Sequence, residues 1–199
     1  MERTLDALAH LAFAMRQFAG MEQEHFRLSA DAWKERRFRK GEFFNEQGHV
    51  CEHLGFILSG VFRSYILDPK NGNEKNVFFF SENQLVVPFK SFVTRTPCSY
   101  FTGSLGEACI MYIHTDDLQR LYARSHQWEH FGRLVAEEAF KVSVGRMESL
   151  LFRTPEERYL DLIAQHPGIF QSVPLYHLSS YLGMRGPSLS RIRRRLAGK

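Results

Sequence analysis

Leu175-Tyr176-His177-Leu178-Ser179-Ser180-Tyr181-Leu182-Gly183-Met184-Arg185-Gly186-Pro187-Ser188-Leu189-Ser190-Arg191-Ile192-Arg193-Arg194-Arg195-Leu196 decides how the C-terminal part of this chain folds. Counted from Leu175, the fourth, eighth, tenth, fifteenth and eighteenth residues are Leu178, Leu182, Met184, Leu189 and Ile192. All are apolar, as two short helices packing at a steep angle require. The fifth is Ser179, small enough for close helix contact, and the ninth is Gly183, free to take the left-handed turn conformation. Pro187 falls in the first turn of the second helix, where its missing N–H does no harm. The spacing predicts a helix-turn-helix whose second helix buries Leu189, Ile192 and Leu196. Arg185, Ser188, Ser190, Arg191, Arg193, Arg194, Arg195 and Lys199 are left for the outer faces. These residue types can meet base edges and phosphates.

The charge distribution coincides with this frame. Beyond Asp161 the chain has no acid and six cations, against a net charge of +4 overall. Removing those six from 26 Lys and Arg leaves 20 against 22 acids, so the body is about −2. A basic end on a near-neutral body implies a polyanion partner. A solubilising tail is the plain alternative, and the coincidence of charge with motif argues against it.

Upstream, Thr154-Pro155-Glu156-Glu157 reads as a helix start with a capping box. Its apolar face is Tyr159, Leu160 and Ile163, and His166-Pro167-Gly168 ends it. Before it, Trp128, Phe131, Leu134, Val135, Ala139, Val142 and Leu150 mark a long helix with no proline inside. Such a helix suits a spine that pairs with its copy in a second chain, or one lying across its own sheet. Thr115 offers its N-cap, with Asp116 and Asp117 in the first turn. The predicted units are 1–115, a sensor domain, 116–152, a dimerisation helix, and 153–199, the helix-turn-helix domain.

From Phe38 to His114 short apolar runs alternate with Gly and Asn at roughly ten-residue spacing, which predicts an antiparallel β-roll or sandwich. Asp68 to Asn73 reads as a hairpin turn. Residues 1–31 read as helices with a break near Gly20. Leu5, Leu8, Leu11 and Met15 predict an amphipathic helix better than a signal peptide, since Asp6 and His10 interrupt the apolar run. The fold class is α+β: a jelly-roll-like β-roll flanked by helices, a long helix, then a helix-turn-helix. Eighteen Phe imply an aromatic core. No apolar stretch of about 18 residues is present, so no membrane partner and a cytoplasmic location are expected. Cys51, Cys98 and Cys109 lack C-x-x-C spacing and read as buried free thiols.

The whole chain resembles the Crp/Fnr family of transcription regulators, especially its short Bacteroidetes-type members. Three segments carry the resemblance. One is Arg39-Lys40-Gly41-Glu42-Phe43-Phe44 through Gly48, with Leu54-Gly55-Phe56-Ile57-Leu58-Ser59-Gly60-Val61-Phe62-Arg63. The others are Thr154 to Leu160 and Val173 to Arg193. The resemblance implies double-stranded DNA, a second copy of the chain, RNA polymerase and a small-molecule effector as partners. No nucleophile–base–acid constellation, phosphate-cradling Gly-rich loop or metal-ligand cluster stands out in the sequence, so no enzymatic activity is expected.

The effector pocket departs from the family's pattern. The family's cyclic-nucleotide cassette pairs an Arg with a hydroxyl, and here those positions fall at about Pro97 and Cys98. Neither supplies the bidentate contact an Arg gives a phosphate. Glu82, Leu85, Arg95, Cys98, Ser99 and Ser143 are the candidate pocket residues, with Arg95 the one shifted-alignment rescue. Cyclic AMP is therefore not expected to bind, the effector is left open, and no cofactor is expected. Of the residues at the family's base-reading positions, Gly186, Pro187 and Arg191, only Arg191 can read guanine. Two other readings stay open. One is a cupin-like metal or small-molecule β-roll, for which His49, His53 and His114 lack the H-x-H spacing. The other is a sensor acting through protein partners alone.

Overall fold

A computed structural model describes residues 2–166 and 168–197. The N-terminal amphipathic stretch forms α1 (Glu2–Ala19), broken at Gly20 in the left-handed region, and is followed by α2 (Gln23–Arg27). Leu11 and Met15 are buried while Leu5 is exposed, so the buried stripe is narrower than its spacing predicted.

The strands are β1 (Lys34–Phe38), β2 (Phe43–Asn45), β3 (His53–Ser59), β4 (Phe62–Leu67), β5 (Glu74–Phe80), β6 (Leu85–Val86), β7 (Phe101–Ser104) and β8 (Ala108–His114). They form two antiparallel sheets, in the orders β1-β8-β3-β6 and β2-β7-β4-β5. The roll begins earlier than its apolar pattern indicated. Four of the five residues of β1 are charged, yet it pairs along its length with β8. Only Phe38 is buried, because β1 is an edge strand, where charge keeps an unpaired strand edge from recruiting another chain. Leu67 pairs with Glu74 around the predicted turn. The β3–β4 corner needs Gly60 (φ +90), since an added Cβ would sit 2.6 Å from that of Ala108.

Phe38, Ile57, Phe62, Val86, Ala108 and Ile110 fill the space between the sheets. Phe38 and Phe62 meet edge-on at 5.0 Å, a favoured aromatic geometry. A second cluster joins α1 to the outer face of the first sheet and to two helices that follow the roll, α4 (Thr115–Arg124) and α5 (His126–Phe152).

The segment expected to be one dimerisation helix over 116–152 is therefore two. Ser125 is extended (φ −145, ψ 118), ends α4 and precedes α5. It is buried, with its hydroxyl 3.1 Å from His25 Nδ1 of α2, and this tie holds the bend. The cap of α4 also differs from expectation. His114 occupies it, its ring Nδ1 accepting from the Asp116 N–H, and Thr115 is the first helical residue.

Along α5 the residues divide. Trp128, Phe131 and Val135 are buried against the roll, with Trp128 Nε1 donating to the His25 carbonyl at 2.9 Å. Farther along, Phe140, Met147 and Leu151 are exposed to 70, 54 and 67%. With Val144 they fall at i, i+4, i+7 and i+11, one face of a helix.

Candidate nucleic-acid interface

The helix α6 (Pro155–Gln165) starts as read from the sequence. Thr154 Oγ1 accepts from the Glu157 N–H, and the Glu157 carboxylate accepts from the Thr154 N–H at 2.7 Å. Those hydrogen bonds hold the Glu157 carboxyl below its usual range. A short helix, α7 (Ile169–Ser172), follows; its four residues carry no period. Pro167, expected to help end α6, lies outside the described residues.

The two motif helices are α8 (Leu175–Tyr181) and α9 (Gly186–Ala197). Gly183 between them has φ +66, the left-handed conformation that the ninth position required. Leu178, Leu182 and Leu189 are buried with Tyr159, Leu162 and Val173, and Met184, Ile192 and Leu196 pack against them. Ser179 is buried, its hydroxyl donating to the Tyr176 carbonyl at 2.9 Å. Leu175 is exposed and contributes little to this core.

The predicted DNA contacts share α9 and its approach but not one role. Arg185, Ser190, Arg191, Arg193, Arg194 and Arg195 are exposed and Ser188 is half-buried. Arg191 donates to Ser188 Oγ one turn earlier at 3.4 Å. Among the described residues, Arg185 and Arg194 make no ion pair. Arg193 stands 5.9 Å over the Phe170 ring. Arg195, expected to bind phosphate, pairs with Glu156 of α6. The pair is exposed and so worth little, leaving Arg195 free to exchange partners. Lys199 lies outside the described residues.

Two arginines that the sequence did not single out hold the motif in place. Arg158 of α6 is buried and donates from Nε to the Leu182 carbonyl at 2.9 Å and from Nη1 to the Arg153 carbonyl at 2.6 Å. It thereby satisfies a carbonyl left open at the end of α8. Arg146 of α5 donates to the Tyr181 carbonyl and stacks 3.8 Å over the Tyr181 ring. Burial lowers its pKa. The one available signal was position: Arg158 lies four residues before buried Leu162, on the inner face of α6.

Of the candidate effector residues, Arg95 and Cys98 both lie beside Cys51, and the others stand elsewhere on the roll or on α5. Glu82 faces the Gly60 N–H, 3.5 Å away, on a cleft of about 480 Å³ between the roll and the helix-turn-helix. Leu85 begins β6 opposite Phe56. Arg95 is left-handed (φ 56) at the end of α3 (Phe89–Thr94), donating to the Cys51 carbonyl at 3.0 Å and pairing with Glu52. Arg95 and Glu52 are both exposed, so this pair lies at the surface of the roll. Cys98 is buried with its N–H on the His49 carbonyl, and Ser99 is exposed. Ser143 is exposed, its hydroxyl turned back to the Ala139 carbonyl of its own helix. Cys51 and Cys98 are buried thiols, with Cys51 pushed up to about 12 by burial, and Cys109 is only half-buried.

Comparison with solved structures decides the architecture. The chain aligns over 83% of its length with 85% of FixK2 from Bradyrhizobium japonicum, at TM-score 0.72 and 15% identity. A protein from Eubacterium rectale assigned to the Crp/Fnr family of transcriptional regulators aligns with 89% of this chain and 84% of its own, at TM-score 0.68 and 14% identity. The chain has the Crp/Fnr fold. The catabolite activator protein of Thermus thermophilus aligns at 19% identity and TM-score 0.58, covering 93% of this chain and 87% of its own. No family model and no curated sequence matches. At these identities the likeness lies in the Crp/Fnr fold alone, as the three sequence segments implied. Of the histidines that a cupin would need, His53 and His114 are cross-strand partners with ring centroids 5.2 Å apart, but among the described residues no third ligand joins them. His114 caps α4 and His53 meets Tyr112 edge-on, while the one cluster of three metal-ligand types among the described residues is Glu22, Glu24 and His25. No described helix is long and apolar enough to cross a membrane.

Proposed function

We propose that this protein is a non-enzymatic, DNA-binding transcription regulator of Crp/Fnr type that works as a two-fold dimer. The observation that carries the reading is α9: a helix seated on a helix-turn-helix core, with Arg185, Arg191 and Arg194 all presented to solvent. The Crp/Fnr fold supports it, as does the apolar stripe of Phe140, Val144, Met147 and Leu151, which a second copy of α5 would cover. Such a seam sets two reading helices against half-sites about 34 Å apart. The units 1–115, 116–152 and 153–199 serve as sensor, spine and reader, the spine being bent at Ser125. RNA polymerase and an effector other than cyclic AMP complete the proposed partners, and the site of action is cytoplasmic.

Arg191 reads a base, because it leaves the middle of α9 one turn after Ser188 and just before inward-facing Ile192. Arg193, Arg194 and Arg195 lie later on α9, nearer the phosphates. Base contacts carry discrimination, and phosphate contacts carry salt-dependent affinity. Arg191→Ala is expected to cost about 1–3 kcal/mol on the selected operator and little on scrambled duplex. Arg194→Ala should weaken both duplexes alike and lower the salt slope by about one. Fluorescence anisotropy across a salt series reads both effects. Equal loss on both duplexes for Arg191→Ala would make it a phosphate ligand.

Cyclic AMP is expected to give no heat of binding in calorimetry, because Pro97 and Cys98 cannot hold its phosphate and Arg95 is already engaged by Glu52 and Cys51. A dissociation constant in the low micromolar range would show that Arg95 leaves those partners.

A further inference from the structure

The outer edge of the second sheet is β5, and an edge strand leaves backbone groups unpaired. Here a helix of the same chain takes them. Ser180 Oγ of α8 donates to the Glu74 carbonyl at 2.8 Å and accepts from the Asn76 N–H at 3.1 Å. One hydroxyl thus does the work of a partner strand. Beside it, the Asn76 side-chain amide donates to the His177 carbonyl at 3.3 Å. Arg63 of β4 donates to Asn76 Oδ1 at 3.1 Å and pairs with Glu74 at 2.6 Å. The Phe79 and Tyr181 rings, 5.2 Å apart, continue the contact.

His177 sits at the centre of this junction and is buried. Its Nδ1 faces two donors, Arg63 Nη1 at 3.2 Å and Asn76 Nδ2 at 3.3 Å, so it must carry no proton. A proton there would meet two N–H groups and the charge of Arg63. The groups facing it from the neighbouring elements are Arg63 from β4, Glu74 from β5 at 3.9 Å and Lys40 from the β1–β2 connection. The ring of Tyr176 of its own helix lies tilted against it, centroids 4.0 Å apart.

We infer that α8 is latched to the β5 edge through Ser180, Asn76 and a neutral His177, and that protonating His177 releases the helix-turn-helix from the roll. This inference does not rest on the DNA-binding reading. Burial, then Arg63, lowers the His177 pKa to about 4. Against an ordinary value near 6.5 once released, the latch is complete above about pH 6.5 and weakens as pH falls toward 4. At about pH 5.5 that difference loosens the latched state about tenfold.

Hydrogen exchange of the full chain, compared between about pH 7.5 and 5.5 and corrected for intrinsic rates, tests it. Segment 74–80 should exchange about tenfold faster at the lower pH, with β8 as an unchanged control. His177→Asn keeps an acceptor near Nδ1 without the titration and should abolish the difference. Ser180→Ala, a smaller change, should speed exchange of 74–80 at both pH values and leave β8 alone. Protection of 74–80 independent of pH in the native chain overturns the inference. So does an equal pH response in His177→Asn, or full protection in Ser180→Ala.

Discussion

Leu178→Ala is expected to unfold the helix-turn-helix while the roll stays folded. Leu178 is fully buried in a cluster whose other buried members are Tyr159, Leu162, Val173, Leu182 and Leu189. Truncating a buried leucine costs about 2–5 kcal/mol, from lost transfer energy and the cavity left behind. A core this small cannot repack around such a gap, and the loss approaches what it contributes in total. The roll has its own clusters, around Phe62 and around Trp128, and these do not include Leu178. Denaturant unfolding should therefore show an early transition in the variant, with loss of protection in 155–197 and at the 74–80 edge that α8 covers, and none in β8. A single transition at the native midpoint would mean that this core carries no stability.

The second large effect is on assembly. Met147→Asp should convert the dimer to monomer at micromolar concentration. Met147 is half exposed in the single chain and central to the stripe from Phe140 to Leu151. In a two-fold seam each substitution is met by its copy, so two carboxylates are buried without partners. The expected cost is about 3 kcal/mol or more, over a hundredfold in dissociation constant. Val142, named by the sequence pattern, lies on the face of α5 opposite the stripe, about half a turn away, and Val142→Asp should do less. Sedimentation of the two variants separates these cases. An unchanged mass for Met147→Asp would place the seam on another face.

The legible parts of this chain are those whose chemistry is written locally. The helix-turn-helix was readable because Leu178, Leu182, Leu189 and Gly183 each answer a packing or backbone demand within one short segment. The capping box at Thr154 and Glu157 was readable for the same reason. What stayed hidden depends on partners far away in sequence. The strand β1 looks like a charged loop until β8 pairs with it. Ser125 carries no breaking signal, and its bend comes from a contact with His25 of α2. Arg158 and Arg146 act on the carbonyls of Leu182 and Tyr181, and Arg195 on Glu156, which no local period announces. Among the proposed effector residues, spacing put Arg95 near the cassette, but its left-handed backbone at the end of α3 aims it at Cys51 and Glu52.

The most direct test of the central claim is anisotropy titration of the intact chain onto a duplex selected from genomic fragments and onto its scrambled version, at several salt concentrations. A DNA-reading dimer predicts at least about a thousandfold preference for the selected duplex, and affinity for both that falls steeply as salt rises. Equal, salt-insensitive affinity for the two duplexes, or no binding to either, would contradict it.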